Sequence, residues 1–170
     1  IVMTNNQYLI FNSMICSGAA RIKTNDSTKY QRVCYGMFQF SQETNYWAKA
    51  AAILGKWCGK QTFPDNKYTG YAFFNQMKSP SLIHLFTETR RSTQASDMGM
   101  GHYLYRPRYD VDKAASAETH GGYRFAFADG SVREVSFTEL RNIYHFSYLV
   151  DRNLNLLTFS GSVPDPWNLR

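Results

Sequence analysis

The segment from His120 to Phe137, HGGYRFAFADGSVREVSF, constrains this chain more than any other stretch. Tyr123, Phe125 and Phe127 alternate with Arg124, Ala126 and Ala128. That period of two is what a half-buried β-strand requires, because successive side chains point to opposite faces. Asp129 and Gly130 follow. They are the favoured pair for a two-residue type I′ hairpin turn, so a strand through Val132 is expected to return alongside the first. Such a turn sets Phe127 opposite Val132 and Phe125 opposite Glu134. Gly121 and Gly122 mark the bend leading in. Ser136 and Glu139 stand three apart, the spacing of a capping box, and predict a short helix from about Thr138 to Phe146.

The rest of the chain reads as short elements between turn signals. Residues 32–40 (RVCYGMFQF) alternate imperfectly and predict a strand. From Thr44 to Trp57 the apolar residues Trp47, Ala50, Ala51, Leu54 and Trp57 fall at helical spacing, with Gly55 and Gly59 near the end. Pro64, Asp65 and Asn66 form a turn cluster. Pro80 breaks the run from Tyr71 to Thr89, since the residue before a proline avoids helix, and Leu82 to Phe86 then predict a buried strand. His102 to Tyr105 and Leu156 to Phe159 are further strand candidates, and Asp110 to Thr119 reads as a polar, Ala-rich connection. The expected fold class is therefore α+β: one amphipathic helix packed on an antiparallel, irregular sheet, forming one domain over residues 1–170 with a tail from about residue 151.

Composition narrows the functional classes. Hydrophobic residues are 44% and charged residues 19% of the 170, which is globular rather than disordered. The 12 Tyr, 12 Phe and 3 Trp suit a pleated sheet, and also the cores of protein interfaces. The net charge of +6 is scattered, its densest groups being Arg90 with Arg91 and Arg106 with Arg108. A solvated basic surface is the simple reading. Cys16, Cys34 and Cys58 make no Cys-x-x-Cys, and their number allows at most one disulfide among them. The sequence holds no Gly-x-Ser-x-Gly elbow, no Gly-rich phosphate loop and no His-x-x-x-His pair among His84, His102, His120 and His145. No apolar run reaches the roughly 18–20 residues of a membrane-spanning helix.

His120, Gly121-Gly122, Phe127-Ala128-Asp129-Gly130 and Val132 together resemble the C-terminal motif of bacterial prepilin-type proteins, in which nine residues separate a His from an Asp-Gly pair. Here eight residues separate His120 from Asp129. A second stretch, Lys78-Ser79-Pro80-Ser81 leading through Leu82 to Glu88, is similar to a Lys-x-Pro-Ser segment of the same family that opens a strand ending in an acid. Tyr35-Gly36-Met37 and Cys16-Ser17 resemble earlier elements of it. The resemblance spans roughly residues 15 to 137. It implies a type IV pilin-like or type II secretion pseudopilin head, carried behind a processed leader and an N-terminal anchor helix upstream of Ile1. The head would sit on the periplasmic or outer side of the inner membrane. Its partners would be other pilin-like subunits and the secretion or pilus assembly machinery.

Chemistry is not expected. His120 and Asp129 could serve as base and orienting acid, but Asp129 stands where a turn wants Asp for its backbone, so structural roles are expected for His120, Gly121, Gly122, Phe127, Ala128, Asp129, Gly130 and Val132, and for Lys78, Pro80 and Ser81. No cofactor is required. The resemblance makes calcium the cation to consider, with Asp110, Asp112 and Glu118 as oxygen donors, against the plainer reading of a solvated acidic loop. The alternative function is a binding module that contacts DNA or acidic polysaccharide through basic and aromatic residues. A secreted hydrolase built around His120 is the third reading.

Overall fold

The computed structural model describes residues 35–39, 54–55, 57–62, 68–72, 74–96 and 98–159, with backbone alone for 58–62, 68–72 and 74. Among the described residues ten strands form: β1 Tyr35–Phe38, β2 Cys58–Thr62, β3 Tyr68–Ala72, β4 His84–Arg91, β5 Leu104–Tyr105, β6 Ala114–Ala117, β7 Tyr123–Phe127, β8 Val132–Val135, β9 Tyr148–Val150 and β10 Leu156–Thr158. The α-helix bounded by described residues, α1, runs over Phe137–Asn142.

This corrects the expected α+β architecture. The described residues are mostly β, an eight-stranded sheet plus the separate antiparallel pair β2–β3. The large sheet is mixed rather than antiparallel, because β1 pairs with β5 and β6 pairs with β9 in parallel. The helix is six residues long and buries only Leu140. A helix of fewer than two turns cannot present the long apolar stripe that backs a sheet. The amphipathic stretch Thr44–Trp57 lies outside the described residues except for Leu54, Gly55 and Trp57, of which Leu54 and Trp57 are buried in the core. The turn at Pro64–Asn66 and Cys16 and Cys34 also lie outside the described residues.

β4 is the spine of the sheet. One of its edges takes β1 along Phe86–Glu88. Its other edge forks: His84–Thr87 pair with β7, and Thr89–Arg91 pair with β6. At the fork Thr87 Oγ1 donates to the Arg124 carbonyl at 2.9 Å and lies 3.0 Å from Ser116 Oγ, which ties the two branches together. β6 is the least legible strand. Its sequence, AASA, has little strand propensity, yet all four residues are buried and it carries β4 on one side and β9 on the other. Ala115 and Ala117 pack with Val150 in a small cluster against Tyr148, Leu154 and Leu156.

Alternation along the strands divides the large sheet into two faces. Phe38, Tyr105, Tyr123, Phe125, Phe127 and Val135 point to one face, and Leu140, Tyr144, Phe146 and Leu149 cover it to form the core. Most of the rings meet edge-on or tilted, as between Phe125 and Phe146 at 5.5 Å, while Tyr105 and Phe146 lie nearly parallel at 6.3 Å. On the opposite face one row of directly opposed residues crosses five strands: Leu104, Met37, Phe86, Ala126 and Val132.

Candidate functional site: two motifs meeting at the fork of the sheet

The expected hairpin forms, but its turn is one residue longer than expected. Phe125 lies opposite Arg133 and Ala126 opposite Val132, so the pairing is shifted by one from the two-residue model. Gly130 N–H donates to the Phe127 carbonyl at 3.0 Å, Gly130 is left-handed at φ 85°, and Phe127 N–H donates to the Ser131 carbonyl. Asp129 stays out of the left-handed region. This is a type I turn closed by a glycine bulge, which suits Asp-Gly as well as the type I′ turn does. Asp129 decides between them. Its Oδ1 accepts from Ser131 N–H at 2.9 Å and from Ser131 Oγ at 2.6 Å. Those bonds hold its carboxyl below the usual range.

The shifted register moves Arg133 onto the core face. Its guanidinium lies 4.2 Å from the centre of the Phe127 ring, donates to Tyr144 Oη at 2.7 Å and donates to the Ser81 carbonyl at 3.0 Å. Arg133 thus closes the open end of the core as a cation over an aromatic face. It also joins the two sequence motifs, since Ser81 belongs to the Lys-x-Pro-Ser stretch. Pro80 begins a single 3-10 turn, Pro80–Leu82, and Lys78 and Ser81 are exposed. Directly after that turn, Ala128 N–H donates to the Ile83 carbonyl at 2.8 Å. The second motif is a seat for the hairpin.

A second junction lies at the fork. The connection from β6 to β7 must pass where β4 changes partner, and His120 is on that connection. Its Nε2 stands 3.4 Å from Oε1 of Glu88, the acid that closes the second motif. The Glu88 side chain is 4% exposed and that of His120 32%. Glu88 Oε2 is buried and has no hydrogen-bond partner among the described residues. Gly121 adopts φ 87°, and Gly122 is buried so closely that a Cβ there would overlap the Glu134 side chain. His120 and Asp129 do not meet: the five residues of β7 separate them, about 3.3 Å each. No base–acid couple exists between them.

The three calcium candidates are not brought together. Asp110 pairs with Lys113 at 3.3 Å, and Glu118 accepts from Arg152 at 2.9 Å. Asp112 lies 3.5 Å from His102 Nε2 and 3.8 Å from Arg91. Each carboxylate already faces a cation, and among the described residues no group of three or more His, Cys, Asp or Glu side chains could hold a metal ion.

Sequence reading gave no role to His84, a deeply enclosed titratable group. It is 2% exposed, ringed by Phe38, Tyr105, Phe125, Tyr144 and Phe146, and its Nδ1 shares a 2.7 Å hydrogen bond with Tyr105 Oη. Desolvation pushes its pKa down to about 3, so the ring is a neutral member of the aromatic core. Its one signal in the sequence was its place inside the apolar run Leu82–Phe86.

On the outer face, Met37 is 43%, Phe86 40% and Val132 72% exposed, while Leu104 and Ala126 are half-buried. Two residues along, Arg124 and Glu134 stand opposite each other and are both exposed. The result is an apolar row with charged side chains beside it. Comparison with protein-family models, with curated proteins and with solved structures returned no match.

Proposed function

We propose that this chain is a non-catalytic structural subunit that acts by protein–protein packing, as part of a pilus-like or secretion-associated assembly of the bacterial cell envelope. The observation that carries this reading is the apolar row Leu104–Met37–Phe86–Ala126–Val132 across five strands of the outer face. Single exposed hydrophobic residues are ordinary, but a contiguous row rimmed by charge is the composition of a contact surface. The resemblance of His120–Val132 and Lys78–Glu88 to prepilin-type motifs supplies the class of partner, namely other prepilin-type subunits. The motif residues support a structural role. Asp129 is committed to the turn, Arg133 and Ser81 to closing the core, and His120 to Glu88. The helix-backed head of pilins forms no part of this reading, since a mixed sheet takes its place.

The test is photo-crosslinking in living cells, with the full-length protein carrying a photoreactive residue in place of Val132. Adducts containing a second copy or another prepilin-type subunit, lost when Phe86→Arg is added, are expected. Absence of such adducts, or adducts indifferent to Phe86→Arg while the variant remains folded, overturns the reading.

A further inference from the structure

Among the described residues the eight-stranded sheet ends on β5, β8 and β10. The β5 edge is two residues long, and its Leu104 N–H is taken by His102 Nδ1 at 3.1 Å. The β10 edge is three residues long. β8 is four residues long and holds no proline. Phe127 N–H donates to the Ser131 carbonyl, and the register then runs Ala126–Val132, Phe125–Arg133 and Arg124–Glu134. Bonded and non-bonded pairs alternate along an antiparallel ladder, so Arg133 bonds to Phe125, whereas Val132 and Glu134 turn their N–H and C=O groups away from β7. Nothing among the described residues takes those groups. Ser131, Val132, Arg133 and Glu134 are all exposed.

An open edge of this kind pairs with another strand unless it is guarded, and charged side chains are a common guard. The two charges of β8 are drawn back into the hairpin. Arg133 lies over Phe127 and donates to Tyr144 Oη and to the Ser81 carbonyl. Glu134 stands opposite Arg124 and lies over Gly122.

β8 is also its own complement. Laid antiparallel beside a copy of itself, about a two-fold axis through Arg133 and normal to the sheet, each Val132 meets Glu134 of the second copy. Each such pair exchanges both main-chain hydrogen bonds, so every outward group of these residues finds a partner. Other registers fit less well. Centred on Val132, the pairing sets Glu134 against Gly130, whose N–H already donates to Phe127. Centred on Glu134, it sets Val132 against Ser136, whose N–H is held by Glu139. Two Arg133 residues meet at the chosen axis, where like charges are unfavourable, but each guanidinium is already turned over its own Phe127 ring.

We infer that the open edge of β8 pairs with β8 of a second copy of this chain, antiparallel and centred on Arg133, joining two sheets into one. The inference rests on main-chain groups at the edge and does not depend on the outer row.

Sedimentation equilibrium of the full chain up to about 1 mM, the weak end of specific association, combined with amide hydrogen exchange, tests it. A dimer is expected. Where nine-tenths of the chain is dimeric, the Val132 and Glu134 amides should exchange roughly tenfold more slowly than in dilute protein, because only the monomer releases them. The Arg133 amide, bonded within the hairpin in both states, should not change. Val132→Pro removes an N–H that the hairpin does not use, at an edge position where proline is tolerated, and should leave a folded monomer. A wild-type chain that stays monomeric overturns the inference. So does a dimer whose Val132 and Glu134 amides exchange as in dilute protein, a measurement that stays decisive where Val132→Pro unfolds. A dimer abolished by Phe86→Arg belongs to the outer row and overturns it too. Adducts of a photoreactive residue 132 to residues 131–135 of a second copy come from this edge, and those that Phe86→Arg removes come from the row, so the two readings fail separately.

Discussion

His84 shows how one buried residue couples the fold to pH. An unfolded chain protonates this ring near pH 6.5, whereas the folded core holds it neutral down to about 3. The folded pKa is depressed, so the stabilising effect of neutrality is complete above pH 6.5 and is lost as pH falls toward 3. Within that window the unfolded state binds the extra proton, and each pH unit removes up to about 1.4 kcal/mol of stability. His102 is shifted in the same direction, chiefly by burial, and acts with the same sign. Replacing His84 with Phe is expected to flatten the stability profile between pH 4 and 6.5, read as the difference from wild type in urea unfolding at each pH. At pH 7.5 the same variant should be less stable by about 1–2 kcal/mol, because the Tyr105 hydroxyl loses its 2.7 Å partner.

At the scale of elements, turns show where local signals suffice. Asp129-Gly130 is a strong hairpin signal, and a hairpin forms; its register was not legible, because the pair fits two turn types and the choice lies with the Ser131 contacts. The turn type expected there is found elsewhere. Val111 and Ala114 exchange hydrogen bonds of 2.9 and 2.8 Å around Asp112 and Lys113, which are left-handed at φ 50° and 63°. That is the geometry of a type I′ turn, built on a residue that strongly disfavours it. Lys113→Gly should stabilise the protein by about 0.5–1 kcal/mol, measured as a rise in the urea midpoint. The exposed Lys113–Asp110 pair that it removes contributes little. The capping box was fully legible: Ser136 Oγ accepts from Glu139 N–H at 3.2 Å, and Glu139 Oε2 accepts from Ser136 N–H at 2.9 Å. The helix is shorter than predicted. It ends at Asn142 rather than near Phe146, and Tyr144 and Phe146 are buried in the core on either side of a left-handed His145.

Across the described residues the two branches of the sheet carry separate clusters: Ala115, Ala117 and Val150 on the β6–β9 side, and an aromatic core on the β7–β8 side in which Phe125 stands against His84, Tyr105, Phe127 and Phe146. Phe125→Ala is expected to cost about 3–5 kcal/mol, checked by denaturant unfolding, as a large cavity opens among rings that cannot collapse together. Far less of this level was visible in advance. β6 was read as a connection because Ala and Ser carry no strand signal; its burial comes from neighbours distant in sequence. The meeting of His120 with Glu88 has the same origin. Both residues lie in recognisable motifs, but only the change of partner along β4 brings them within 3.4 Å.

The sequence by itself determined the local events: the alternation that buries Tyr123, Phe125 and Phe127, the reversal at Asp129-Gly130, the break at Pro80 and the capped start of α1. These depend on steric and hydrogen-bonding preferences within a few residues, which any stretch of chain carries with it. The tertiary structure alone decided the mixed sheet, the fork at Glu88, the burial of His84 and the apolar row on the outer face. Those are outcomes of long-range pairing, in which a strand's worth depends on what it lies beside, and no local preference encodes that.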